Sequence, residues 1–298
     1  MSHSTVADAG TASPDQGQEK GKGQDGALRL RFAHLRHQPG LLLSWLVLGV
    51  VALWIIAPGL FTDFSSTSGT ARDKLLPPGG AHLLGTDELG RDLFARIVHG
   101  SVHSVSAALV AVGVGLIVGT FLGLLAGSLG GITDSVVMRI VDILLSIPGL
   151  LLSLSIIIIL GFGTVNAAIA VGIGSVAGFA RLSRAEVLRV RRSDFVEAAF
   201  GSGGTFAAVL RRHVLPNSAG PVLALVALQF GSAILAISTL GFLGYGAPPP
   251  TPEWGLLIAE GRNYVATSWW LTAFPGLVVV AVVLSANRIS HSIRKVLP

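Results

Sequence analysis

The segment DFVEAAFGSGGTFAAVLRRHVLPN, residues 194–217, is the polar interruption on which the reading of this chain turns. It lies between two apolar runs, 165–181 and 218–243, and follows arginines at 181, 184, 189, 191 and 192. Residues 184–200 read as a continuation of the preceding helix, ending in Glu197-Ala198-Ala199. Gly201, Gly203 and Gly204 break it, since glycine costs about 1 kcal/mol relative to alanine inside a helix. A second short helix is expected over 205–213, capped by Thr205 and stopped before Pro216, whose ring and missing N–H oppose a helix interior. Phe206, Val209 and Leu210 would share one apolar face. A short helix held out in water with such a stripe needs a partner. Taken alone, the arginines read as an ordinary basic loop.

Outward from this segment the chain is greasy. Of 298 residues, 51% are hydrophobic and 12% charged, against about 25% charged in soluble domains. With 38 Gly and no Cys, it suits close-packed membrane helices and excludes disulfides and thiolate metal sites. Six apolar runs cover 41–60, 102–127, 135–160, 165–181, 218–243 and 270–290. About twenty helical residues cross roughly 30 Å of hydrocarbon, and no run carries a charge at its middle. The expectation is an all-α polytopic membrane protein. Of the 21 Lys+Arg, only Arg72, Lys74, Arg91, Arg96 and Arg262 fall on one side when the spans alternate. That bias orients the chain with both termini cytoplasmic and accounts for the +5 net charge without nucleic acid.

Residues 1–27 are a polar tail too poor in apolar side chains to offset its ordering entropy, so disorder is expected. Residues 28–37 alternate apolar and basic side chains, as a segment at the headgroup surface does. In the extracytoplasmic segment 61–101, Thr86 is a plausible N-cap, with Asp87 and Glu88 in the first turn. Leu89, Leu93 and Ile97 then give an amphipathic helix suited to the outer leaflet. The extracytoplasmic segment 244–269 holds PPPTPEWG (248–255), which reads as a stiff, non-helical elbow.

Glu197-Ala198-Ala199, Gly203 six residues beyond Glu197, and RHVLPN (212–217) resemble the EAA loop of ABC-importer permeases. LGTDELGRDLFARI (84–97), VDILLSIPGLLL (141–152), GFLGYGAPPPTPEWG (241–255) and EGRNY (260–264) with FPGL (274–277) are similar to the second, C-type permease subunit of the dipeptide/oligopeptide/nickel branch. The resemblance covers about 41–298. It implies the type I permease fold over 28–298, six transmembrane helices, and cytoplasmic coupling helices between helices four and five. It also implies that the loop 182–217 docks on an ATPase through Glu197, Ala198, Ala199, Gly203, Thr205, Phe206, Val209, Leu210, Arg212, His213 and Pro216. The partners implied are a second homologous permease, two ATP-binding subunits or one fused ATPase, and an extracytoplasmic solute-binding protein that delivers a peptide. ATP and Mg would sit on the ATPase, with no cofactor on this chain, which would belong to a bacterial inner membrane. One departure from the family pattern is Phe200-Gly201-Ser202, which adds a glycine near the turn.

Other residues have local explanations. His213 has no second ligand at i+3 or i+4, so a structural role is expected rather than a metal. Arg139 and Asp142, at i and i+3, would pair on one helix face, with gating at the inner mouth as the alternative. Pro148-Gly149 would kink the third span. Asn166 and Gln229 are the uncharged polar candidates for a translocation pathway, or for interhelical hydrogen bonds. The chain has no Gly-Lys-Ser/Thr phosphate loop, no His-Glu pair and no nucleophile elbow, so enzymatic readings lack their parts. A nickel-chelate or other small-solute importer is the nearest rival. A secondary transporter or channel would call for an inverted repeat and midplane charges, and neither is seen.

Overall fold

The computed structural model describes residues 39–296, with side chains to 293. The chain divides into residues 1–42, of which only the opening of the first helix is described, and residues 43–298, which carry the rest of the described structure. The tail 1–27 and the segment 28–37 lie outside the described residues. Helix α1 spans Pro39–Ile56, α2 Leu93–Leu129, α3 Gly131–Ser146, α4 Gly149–Leu160 and α5 Thr164–Arg191. Beyond them come α6 (Asp194–Gly201), α7 (Phe206–Val209), α8 (Leu215–Phe242), α9 (Trp254–Gly261) and α10 (Trp270–Val296). Among the described residues there is no strand, only a single bridge between Thr86 and Asp92.

Five helices are long and apolar enough to cross a membrane, and a sixth crossing needs α3 and α4 together, which meet at 96°. The run 135–160 is therefore a broken element rather than one kinked helix. Pro148 withholds an N–H and pushes Ile147 into the extended region (ψ 128°), so α3 ends and α4 begins afresh at Gly149. Helix α2, at 37 residues, measures about 55 Å and exceeds the hydrocarbon thickness.

Several expected boundaries move. The helix placed at 86–100 starts at Leu93, capped by the Asp92 carboxylate on the Ala95 N–H at 2.7 Å. Asp87 instead folds the preceding turn by accepting from the N–H groups of Leu89 and Arg91, both at 2.9 Å. Leu93, Ile97 and Val98 are core residues, so this helix does not lie on a leaflet. The proline elbow holds a helix of its own, α9. Helix α5 ends at Arg191, and Ser193 restarts the chain into α6. Pro216 does not stop the second loop helix. A π-turn over Leu210–Val214 widens the coil, and Pro216 enters α8 within its first turn, where its missing N–H costs little. Asp142 pairs with Arg181 at 2.8 Å, not with Arg139.

The most extensive helix pair is α2 with α5. It is built on glycines 115, 119, 123 and 127, one per turn of α2. A Cβ at Gly119 would sit 2.5 Å from the Val176 carbonyl oxygen, and one at Gly123 2.7 Å from the Ser183 Cβ. At Gly127 the nearest atom would be Val187 Cγ1 at 2.9 Å. Gly172 answers from α5, 2.8 Å from the Val114 Cβ. Small residues at this spacing let two backbones touch where lipid offers no hydrophobic drive. Arg184 grips Asp134 at the start of α3 with both its Nε and Nη2, the latter at 2.6 Å. Arg191 Nη1 donates to the Gly127 and Ser128 carbonyls at 2.8 and 2.7 Å, the otherwise unpaired end of α2.

Gly119→Leu should remove folded protein from the membrane, because a side chain driven into backbone costs about 3 kcal/mol or more. Gly113→Ala, whose Cβ would meet nothing within 4 Å, should leave yield and thermal midpoint unchanged. Equal stability of the two variants in detergent would show that the seam is not close-packed.

Candidate functional site

The 192–217 loop is a helical hairpin seated on a small apolar cluster. Val196 from α6, Val209 from α7 and Val214 from the π-turn pack on Val187 and Val190 of α5. Ser193 opens α6 in an extended conformation, and its hydroxyl donates to the Val190 carbonyl at 2.6 Å. The turn between α6 and α7 uses two of the three glycines for distinct reasons. Gly203 has φ +84°, the left-handed conformation that follows many helix C-termini. Gly204 has no room for a Cβ, with the Ala199 carbonyl oxygen at 2.6 Å. Gly201 meets nothing and closes α6.

The single apolar face expected for Phe206, Val209 and Leu210 is therefore split. Val209 is buried and Leu210 packs beside it, while Phe206 faces out at 42% exposure. Phe195 and Phe200, which sequence reasoning did not single out, are exposed on α6. Glu197, Ala198, Thr205 and Arg212 are exposed, and Glu197 makes no ion pair among the described residues. Ala199 supports the valine cluster. Thr205 holds the N-cap position without a side-chain capping bond. His213 is half-buried and its carbonyl accepts from Asn217 Nδ2 at 2.6 Å, while Pro216 is exposed.

The two polar candidates within the bundle part company. Asn166 Nδ2 donates to the Leu160 and Gly161 carbonyls at 3.0 and 3.1 Å, which caps α4. Gln229 lines a cavity of about 160 Å³ between α2, α4, α5 and α8, beside Ser153 and Ser175.

At the far end of α2 lies a charge network that sequence reasoning missed. Arg91 and Arg96 are buried, and both reach Asp87 Oδ2 at 2.6 Å. Arg96 Nη1 also meets Glu260 Oε2 at 2.8 Å, tying α2 to α9. Asp87, Glu88 and Glu260 bring carboxylate oxygens within 4.8 Å of one another. The two guanidinium groups pair with all three, Arg91 Nη2 lying 3.3 Å from Glu88 Oε1 and 3.6 Å from Glu260 Oε2, so the set is an ion-pair network rather than a metal centre. Burial raises the Glu88 carboxyl above its usual range, and the like charges of Asp87 and Glu260 add to the rise. A clue was present in the sequence: Arg96 sits within the apolar run Leu93–Val98, where a charge must find a partner.

Glu253 closes the same end. It is fully buried, and its carboxyl accepts from the Gly255 and Leu256 N–H groups at 2.9 and 3.0 Å. Trp254 Nε1 donates to the Ile97 carbonyl at 3.0 Å, locking α9 against α2. Desolvation outweighs these hydrogen bonds and pushes the Glu253 carboxyl up to about 7.

Residues 119–296 match the family described as binding-protein-dependent transport system inner membrane component. The chain is 42% identical over 249 residues, 83% of each chain, to the probable D,D-dipeptide transport system permease protein DdpC of Escherichia coli (strain K12). It is 40% identical over 275 residues, 89% of each, to the di/tripeptide transport system permease protein DppC of Pseudomonas aeruginosa (strain UCBPP-PA14). It is 39% identical over 220 residues, 74% of this chain and 73% of the relative, to the glutathione transport system permease protein GsiD of Pectobacterium atrosepticum (strain SCRI 1043). The fold is similar to a chain of the MetNI methionine ABC transporter solved in inward-facing conformations (TM-score 0.54, 19% identity, covering 66% of this chain and 96% of that one). It is also similar to a chain of an amino acid ABC transporter with histidines (TM-score 0.54, 16% identity, 68% and 94%).

The raised Glu253 carboxyl makes stability depend on pH. Its folded value of about 7 lies above the ordinary value of 4.5, so the contribution is complete below about pH 4.5. It is lost as pH rises through 7, up to about 3 kcal/mol. Thermal unfolding of the purified protein should fall in midpoint from pH 5 to 8, and Glu253→Gln should flatten that slope. A variant slope as steep as wild type would place the titration elsewhere.

Proposed function

The chain belongs to the family of binding-protein-dependent transport system inner membrane components, and on that premise we propose how its parts serve an importer. It is a multi-pass permease subunit of an ABC importer, a transport component and not a catalyst. We infer that its cargo is a di- or oligopeptide, because relatives at about 40% identity carry the names of dipeptide, di/tripeptide and glutathione systems. A second, homologous permease would enclose the pathway with it, and an extracytoplasmic binding protein would deliver the cargo. ATP and magnesium would be held by two ATP-binding subunits or one fused ATPase. Both termini would face the cytoplasm, as the distribution of Lys and Arg favours.

In this reading the 192–217 hairpin is the ATPase-docking element. The observation that carries it is the exposure of Phe195, Phe200 and Phe206 (48, 40 and 42%) on two short helices whose valines are already buried. Solvent offers aromatic side chains no gain there, while a groove on a partner does. Exposed Arg211 and Arg212 would add steering. Closure of the ATPase pair on ATP would move the hairpin, and α5 and α8 with it, between inward- and outward-facing arrangements.

Phe206→Asp should leave the protein in the membrane and uncouple ATP hydrolysis from peptide uptake. Removing one aromatic anchor costs about 2 kcal/mol, roughly thirtyfold in docking affinity. Gly203→Pro, which cannot adopt φ +84°, should do the same by misplacing α7. Val209→Asp, by contrast, should cost the fold. Wild-type uptake by both Phe206→Asp and Gly203→Pro in a reconstituted complex would refute the docking assignment.

A further inference from the structure

We propose that the face of α5 from Gly174 to Arg181 is the cargo-contacting wall of the pathway: a neutral hydrogen-bonding groove that ends on a charge pair which receives the termini of a peptide. This rests on the peptide-importer reading above.

Gly174 and Gly178 sit one turn apart near the middle of a 28-residue helix, where each glycine costs about 1 kcal/mol relative to alanine. Neither has a positive φ, and a Cβ at either would meet nothing within 4 Å. Packing within this chain explains Gly172, pressed against Val114, and does not explain these two. Both open onto space. Gly174 lines the cavity of about 160 Å³ that holds Gln229, and Gly178 lines a second of about 520 Å³ that holds Arg181. The walls of both come from α5, α8 and the helices either side of the Pro148 bend, with Ala111 and Val112 of α2 closing the smaller one. Positions 174, 178, 181 and 185 follow the helical period, so the two cavities are successive stretches along one face.

The chemistry changes along that face. Around Gly174 the polar groups are neutral. Ser175 donates to its own helix at Gly172 and keeps lone pairs to accept with. The half-buried side chain of Gln229 has no hydrogen-bond partner among the described residues, so its carboxamide can both donate to and accept from a peptide main chain. Past Gly178 comes the Arg181–Asp142 pair, joined by one contact of 2.8 Å with side chains 58% and 61% exposed. Such a pair adds little to the fold, and Arg184–Asp134 already joins the same two helices. The free edge of the guanidinium suits a carboxylate, and the free Asp142 oxygen suits an ammonium. A short peptide brings one of each.

The chain contains no cysteine, so Gly178→Cys gives it a unique thiol. In the complete complex that thiol should react with a water-soluble thiol reagent, and saturating dipeptide should slow the reaction about fivefold or more. Gly178→Leu should cut ATP-driven dipeptide uptake about tenfold with no change in membrane level or thermal midpoint. Arg181→Gln should weaken dipeptide binding to the nucleotide-free complex about tenfold, leave a doubly blocked dipeptide unaffected, and be partly rescued by Arg181→Lys. Wild-type uptake by Gly178→Leu, a thiol that dipeptide does not protect, or equal losses for free and blocked dipeptide would overturn the proposal while leaving the importer reading in place. A wild-type complex that takes up no dipeptide with ATP would overturn both.

Discussion

Two helices that must touch backbone to backbone govern this structure. Along α2 the glycines at 115, 119, 123 and 127 leave four successive turns without a side chain toward α5, and Gly172 makes room for Val114 between the two helices. In a bilayer, apolar side chains gain nothing by leaving lipid for each other, so helices associate through close van der Waals contact and polar links. Once α2 and α5 are in register, their ends become fixed points. Val187 and Val190 then stand where α6, α7 and the π-turn can cover them, and Arg191 reaches the last carbonyls of α2. The hairpin proposed to meet the ATPase is thus mounted on the seam, without a core of its own beyond five valines.

The same elements serve opposite ends in different settings. Glycines 119 and 123 are needed because something is there, and Gly174 and Gly178 are informative because nothing is. Charge divides in the same way. Arg91, Arg96 and Asp87 are buried together, so losing one partner would strand a desolvated charge at a cost of several kcal/mol. Arg181 and Asp142 are largely exposed, and their separation costs almost nothing. The first group locks the end of the bundle at Trp254, and the second is free to exchange partners.

Composition and hydropathy were enough to place five membrane-length helices, because an apolar run is a local property and the bilayer reads it locally, while the run 135–160 did not show that it breaks into two helices at 96°. Boundaries set by tertiary partners were not legible. Leu93 and Ile97 have helical spacing suited to a leaflet, yet Trp254, more than 150 residues away, turns that face into core. Arg91 and Arg96 counted toward orientation, and only folding shows that Glu260 and Asp87 neutralise them. The four-residue glycine spacing of α2 lay open in the sequence, but high glycine content alone does not say which glycines press on a neighbour. Pro216 misled because a proline argues against a regular helix interior, and the π-turn before it is not regular. In the loop, the residue types told of an apolar stripe, while burial reassigned it from Val209 to Phe195, Phe200 and Phe206.

The two arms of the hairpin join the bundle differently, and this bears on how a push would travel. On the α5 side the helix breaks at Arg192-Ser193, so α6 is tethered by side chains and a short extended link. On the other side Phe206–Phe242 forms one membrane-length helical rod of 37 residues, with the π-turn inside it. Phe206 stands near one end of that rod, and Gln229 lies 23 positions along it, about 35 Å away. Displacing Phe206 would therefore act on a wall of the cavity along one continuous helical segment, although Pro221 removes a backbone hydrogen bond within it. The glycine seam ties α2 to α5, and Ser290, whose hydroxyl donates to the Ala224 carbonyl at 2.8 Å, ties α10 to α8. In the proposed importer a push on the exposed phenylalanines would then reach the groove from both sides, through α8 with α10 beside it and through α5 with α2 beside it.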